Sequence, residues 1–274
     1  MPTLDTIDTR VEDRVLYATL NTPPLNMIGP ALVRDLITLV HYLETHADDV
    51  RVVVFDSASP DFFSAHVDMT QVSALRPELA RLEPDAKLGT LFSRISRLNQ
   101  VSIAAIGGRV RGAGSEFVLA CDMRFAAEGA LFGQPEVGVG AIPGAGAVQH
   151  LTRLMGRGRA LEALVGADDF PADLAERYGW INRALPESEL ASFVTALSRR
   201  IARFPPAGIA DTKRRVNEIV LPAVVALNED SRLFLAGINR PESQNRIALL
   251  FERGLQTNGP LEAELGSALE DLAN

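Results

Sequence analysis

Residues 102–126 read SIAAIGGRVRGAGSEFVLACDMRFA, and the order of apolar runs and glycines limits the architectures open to the chain. The run SIAAI (102–106) has the length and apolar character of a buried strand and stops at Gly107-Gly108. A small-residue turn, Gly112-Ala113-Gly114, follows, then a helix over 116–120 and a short strand over 123–126. A strand feeding a glycine turn, a helix and a further strand belongs to an α/β fold. The alternation also occurs upstream, where strands over 15–20 (VLYATL) and 52–55 (VVVF) bracket a helix over 31–43. A short helix is expected near 69–75, a longer one near 85–98, another over 144–165, and a strand over 180–185. Beyond Glu189 the chain reads as helix, interrupted by FPPAG, LPAV and RPESQ. The expected division is a βα core over 1–200 and a helical region over 201–274.

The turn sets a carboxylate, Glu116, against an apolar run. Four roles are open to it: helix cap, remnant of a phosphate loop, neighbour of a nucleophilic serine, or catalytic acid/base. The phosphate motifs fail. No Gly-Lys-Ser/Thr occurs, so there is no Walker A loop. The dinucleotide pattern GxGxxG breaks at Phe117 after Gly112-Ala113-Gly114, and at Gln149 after Gly144-Ala145-Gly146. The serine elbow GxSxG is absent too, because Ser115 follows Gly114 directly. The first amides of a helix have no partner within it, and together with the helix dipole they favour negative charge. A small-residue turn lets a ligand approach them. The segment is therefore either an empty tight turn or an oxyanion hole, in which N–H groups meet developing charge on a carbonyl oxygen.

A second carboxylate, Glu136, lies in FGQPEVGVGAIPGAG, which is apolar apart from it and Gln134. Poor solvation raises a carboxyl pKa, so two carboxylates facing one water can divide labour, one ionised and one protonated. Each alone also reads as a surface or cap residue.

The net charge of −8 argues against a nucleic-acid or membrane partner gripped through bulk charge. No apolar run approaches a membrane span, and the polar start, MPTLDTIDTRVED, has no secretory apolar segment. Cys121 is the only cysteine and reads as a core residue. The histidines at 41, 46, 66 and 150 lack metal-ligand spacing, so no metal is expected. A reducing, cytoplasmic setting is the expectation.

Taken together these segments resemble the enoyl-CoA hydratase/isomerase (crotonase) superfamily over roughly residues 15–219. The landmarks, in order, are VLYATLNTPPLNM, DDVRVVVFDSASPDFFSAHVDM, the long stretch VSIAAIGG to QHLTRLMG, and GRALEALVGADDFPADLAERYGWINRAL. The resemblance implies a crotonase-like α/β spiral of ββα turns. It also implies a helical C-terminal trimerisation region, and homotrimers or dimers of trimers. The partner it implies is an acyl-CoA thioester, with no cofactor beyond the coenzyme A that the substrate carries. It puts Glu116 and Glu136 on the two catalytic glutamates of hydratases, the first deprotonating water for attack at the β-carbon, the second protonating the α-carbon. It puts the oxyanion amides on Val67 and Ala113, and substrate contacts on Pro24, Leu25, Ala65, His66, Asp68, Gly112 and Pro135.

The sequence departs from the family pattern in places. His66 and Ala113 stand where glycines are usual, and Arg109 and Arg111 replace an aromatic and an apolar residue. His66 is read either as packed away or as a third group contacting substrate. The arginines are read either as solvated or as a charge near the acyl channel. In the tail, RIALLFERG offers Arg253 alone as a counterpart to the basic residue that approaches the CoA phosphates. Hydration of a 2-enoyl-CoA is the leading expectation. The alternatives are an isomerase, hydrolase or carbon–carbon lyase on the same scaffold, and a non-catalytic binding protein.

Overall fold

The computed structural model describes residues 1–46 and 49–272. The strand β1 (Ile7–Glu12) pairs antiparallel with β2 (Val15–Leu20) through the two-residue turn Asp13-Arg14. Both turn residues have left-handed φ, 51° and 64°, the geometry that matches the strand twist. The sequence gives no sign of β1, because IDTRVE is largely exposed and carries no apolar alternation.

The chain then winds in repeating turns. In the first, α1 (Pro30–Thr45) leads to β3 (Val52–Ser57), β4 (Phe62–Ser64), α2 (Val72–Leu79) and α3 (Leu88–Ser96). The second is β5 (Val101–Ile106), β6 (Arg109–Arg111) and α4 (Gly112–Ala120). The third is β7 (Met123–Ala127), β8 (Leu131–Gly133), a 3-10 turn over Pro135–Val139 and α5 (Ala147–Gly166). The chain then passes through β9 (Asp169–Pro171), α6 (Ala172–Tyr178), β10 (Arg183–Leu185) and α7 (Glu187–Ala202). The remaining helices are α8 (Pro206–Val220), α9 (Val224–Ile238), α10 (Pro241–Glu252), α11 (Pro260–Ala263) and α12 (Leu265–Glu270).

Each turn gives one long strand to one sheet and one short strand to another. The large sheet has the order β1-β2-β3-β5-β7-β10, parallel from β2 onward. The small sheet has the order β4-β6-β8-β9, with β9 antiparallel. This is the ββα spiral that the sequence implies. Both faces of the large sheet are covered, as continuous apolar strands require. Val53, Phe55, Ala104 and Ile106 face the main core, whereas Val52, Val54, Val101 and Ile103 face Leu190 and Val194 of α7.

Two of the differences from the sequence reading have a clear physical cause. The strand expected over 180–185 shortens to β10, because Trp180 is fully buried in the preceding turn, where its indole donates to Ser115 Oγ at 3.3 Å. The helix expected from Glu116 begins at Gly112, whose φ of +48° turns the chain directly from β6 into α4. Every residue of α4 is buried, and Phe117 packs among Phe55, Phe63 and Phe92. Cys121 is a core residue, its thiol pushed up to about 12 by burial.

The small sheet and α4 meet at Gly114. A Cβ there would stand 2.5 Å from the carbonyl oxygen of Ser64, a backbone atom that cannot rotate away. Gly114→Ala is therefore expected to lower stability by about 1–3 kcal/mol in urea denaturation. Gly107→Ala, with nothing within 4 Å of its Cβ, is expected to stay within about 0.5 kcal/mol of the parent.

Candidate active site

Glu116 lies in the middle of α4 with its side chain pointing at the start of the next long helix. Its Oε1 accepts from the N–H groups of Ala145, at 2.7 Å, and Ala147, at 3.0 Å. Gly146 forms that corner with φ of +134°, so the unpaired amides entering α5 converge on one oxygen. The residue is thus an inter-helix cap as well as a buried carboxylate. Burial pushes its pKa up to about 7, against the opposing pull of these amides.

Glu136 is held on the 3-10 turn that follows β8, with Pro135 at its first position. It is buried, and its Oε2 has no hydrogen-bond partner. Its Oε1 stands 3.0 Å from the point where a Cβ on Gly112 would lie, so a side chain there would crowd it, at a φ of +48° that favours glycine. Burial and the nearby charge of Glu116 raise its pKa well above the usual carboxylate range. Two neighbouring carboxyls in this state retain one proton between them near neutral pH.

The loop after β4 faces them. Ile28 and Val67 form a single parallel bridge, in which Ile28 N–H donates to His66 O at 2.8 Å and Asp68 N–H donates to Ile28 O at 3.1 Å. In such a bridge the N–H of the intervening residue, Val67, points away from Ile28. Ala113 is the second residue of α4, so its N–H precedes the first intrahelical bond. Val67 and Ala113 both line the cavity that holds Glu116, Glu136, Pro135 and His66. His66 has no left-handed φ, so the loop does not need glycine there. Its ring turns from the carboxylates to Glu262, Nε2 to Oε1 3.0 Å, while Nδ1 lies 2.8 Å from Val67 O.

The cavity measures about 850 Å³. Its polar end is the carboxylate pair, and its walls are apolar: Leu75 and Leu79 from α2, Phe234 and Ile238 from α9, Ile247 and Phe251 from α10. The C-terminal helices close it, a role with only a faint trace in the sequence, the four-residue spacing of Phe234 and Ile238 and of Ile247 and Phe251.

Pro24, Leu25, Ala65 and Asp68 do not line this cavity. Leu25 and Ala65 are buried in a small cluster with Phe62 behind the loop, and Pro24 sits in an exposed cis Pro23-Pro24 turn. Asp68 ties the loop: its oxygens accept from Thr70, Gln71 and Gln256, which hold its pKa low against burial. Gly114 packs directly against Ser64. Neither arginine lines the cavity, and Arg109 is half-buried. Arg111 is buried and paired with Asp169 at 2.5 Å while donating to Glu262 O at 2.6 Å, and Arg109 donates to Ala263 O at 3.0 Å. Both bind α11, so the arginines, Asp169, Gln256 and Glu262 form a framework that no local pattern reveals. Arg253 is exposed at the end of α10. Among the described residues no group of acidic, histidine or cysteine side chains has the arrangement of a metal site, and no helix is long and apolar enough to cross a membrane.

Known proteins resemble this chain in sequence and fold. The chain is 34% identical over 213 residues to the crotonyl-CoA hydratase of Syntrophomonas wolfei, covering 76% of this chain and 79% of that protein. It is 32% identical over 228 residues to the 2,3-dehydroadipyl-CoA hydratase of Escherichia coli K12, covering 81% and 86%. A crystal structure from Streptomyces avermitilis, of a protein provisionally described as an enoyl-CoA hydratase, superposes with a TM-score of 0.96 at 51% identity, covering 98% of both chains. The sequence profile of enoyl-CoA hydratase/isomerase matches residues 10–255, and with this fold and this carboxylate pair the chain belongs to that family.

Proposed function

We propose that this protein is an enoyl-CoA hydratase, a lyase that adds water across the double bond of a 2-enoyl-CoA thioester. One observation carries the reading: two buried carboxyls share the end of an apolar cavity, with burial raising both pKa values. That environment suits the pair to move protons near neutral pH. The thioester oxygen lies between the Val67 and Ala113 amides. Withdrawal of charge onto that oxygen makes the β-carbon electrophilic, and preorganised amides stabilise the enolate that forms. Glu116, ionised and oriented by the amides at the start of α5, takes a proton from water as its oxygen bonds the β-carbon. Glu136, protonated, delivers its proton to the α-carbon. The sum is one water added. The proton gained by Glu116 and the one lost by Glu136 re-equilibrate through solvent, and no cofactor is consumed.

The acyl chain occupies the cavity between α2, α9 and α10, and the CoA arm leaves by its open side. Assembly into homotrimers or dimers of trimers fits the apolar side chains left in solvent on the C-terminal helices, such as Ile219, 79% exposed, and Val225, 75% exposed. A cytoplasmic setting fits a buried free thiol and the acidic surface.

Hydration is followed as loss of the conjugated thioester absorbance of crotonyl-CoA and longer enoyl-CoAs. Glu116→Gln and Glu136→Gln are each expected to lower kcat about 100- to 10,000-fold. Full activity in both variants would remove the assignment, and no turnover on any chain length by the parent would remove the hydratase reading. The pH dependence of kcat/KM is expected to be bell-shaped. It rises through about pH 7 as Glu116 ionises and falls at higher pH as Glu136 loses its proton. A profile flat from about pH 6 to 9 would contradict the division of roles.

A further inference from the structure

The C-terminal segment reaches the site through one buried contact that the chemistry above does not use. Both ring nitrogens of His66 face oxygens, Nδ1 the Val67 carbonyl at 2.8 Å and Nε2 the Glu262 carboxylate at 3.0 Å. A backbone carbonyl only accepts, so Nδ1 carries a hydrogen. Glu262 Oε1 already accepts from Gln256 N–H at 2.7 Å, and the side chain is fully buried. A second hydrogen on Nε2 completes an imidazolium against a carboxylate. Burial opposes that charge, but the hydrogen bond and negative charge of Glu262 outweigh it and raise the His66 pKa. Burial likewise works against the Glu262 charge, and the bond to His66 outweighs it and lowers that pKa.

The other charges around the ring are accounted for. Arg111 of β6 opposes the imidazolium but is neutralised by Asp169 of β9. Glu136 approaches from the far side of Gly112, where a Cβ would lie 3.0 Å from its Oε1 and 3.1 Å from His66 Cβ. Asp68, on the same loop, is engaged by Gln256 at 2.8 Å. Gln256 also accepts from Met69 N–H at 2.7 Å through Oε1. The loop bearing the Val67 amide is therefore gripped at His66, Asp68 and Met69 by the segment 256–262.

We propose that His66, held as an imidazolium between the Val67 carbonyl and the Glu262 carboxylate, is a positioning residue that aims the Val67 amide at the thioester oxygen. The proposal rests on the hydratase reading for its role in catalysis, but not for its protonation state. The side chain at a position where glycine is usual thus anchors the loop to the C-terminal segment.

The test begins with nitrogen NMR of the full chain labelled in histidine, with His66→Gln to assign the ring signals. It needs no substrate, so it stands even where the hydratase reading fails. Both His66 nitrogens are expected to stay protonated through about pH 6 to 8, and Nε2 to lose its proton in Glu262→Gln, which removes the negative charge and supplies an NH2 that can donate to a neutral Nε2. A neutral His66 ring in the parent at about pH 7 would overturn the proposal. In kinetics, His66→Gln and Glu262→Gln are each expected to lower kcat about 10- to 100-fold with KM changed less than about threefold. Unchanged kcat in both, or a loss confined to KM, would overturn the positioning role. Should either variant unfold, the ring signals of the parent still decide the protonation state on which the proposal depends.

Discussion

A carboxylate buried inside one helix and held by the opening amides of another organises this molecule. Glu116 leaves α4 within the core and receives the N–H groups of Ala145 and Ala147. That contact satisfies amides that α5 would otherwise bury unpaired, and it fixes one oxygen of the carboxylate without protonating it. The spiral makes this possible. Successive ββα turns place α4 beside the corner before α5, and β8 brings Glu136 to the same end.

The arrangement opposes stability to chemistry. Each raised carboxyl pKa means that the unfolded chain ionises first. The stability associated with keeping Glu116 protonated is therefore present below the ordinary carboxylate range, about 4.5, and is lost as pH rises towards about 7. In the proposed reaction this cost has a function, since a carboxyl that titrates near neutral pH transfers protons efficiently. The large apolar core and the glycine-tight contact of α4 with β4 supply the offsetting stability.

The sequence carried much of this and hid a definite part. The strand runs VVVF and SIAAI are continuous because both sheet faces are covered, so they were legible. Glu116 and Glu136 stood out because each sits alone in an apolar, glycine-rich segment, but alone each also read as a surface or cap residue, and the family resemblance assigned them as a pair. The short strands β4, β6, β8 and β9 were not, because two or three residues have no measurable period. Arg109 and Arg111 read either as solvated or as a charge near the acyl channel, since nothing near them in sequence hints at Asp169 or at the carbonyls of Glu262 and Ala263. His66 read as a substitution for glycine, and its partner lies almost two hundred residues away, at Glu262. Contacts of that separation obey geometry that only the folded chain displays.

The central claim is that one proton resides on the carboxylate pair when water adds. Carbon NMR of the glutamate side-chain carboxyls reads this directly. Above about pH 7, where Glu116 is ionised, one protonated carboxyl, that of Glu136, is predicted to remain in the free protein, and it should vanish in Glu136→Gln. Carboxyl signals that all show ionised groups from about pH 6 upward would contradict the account.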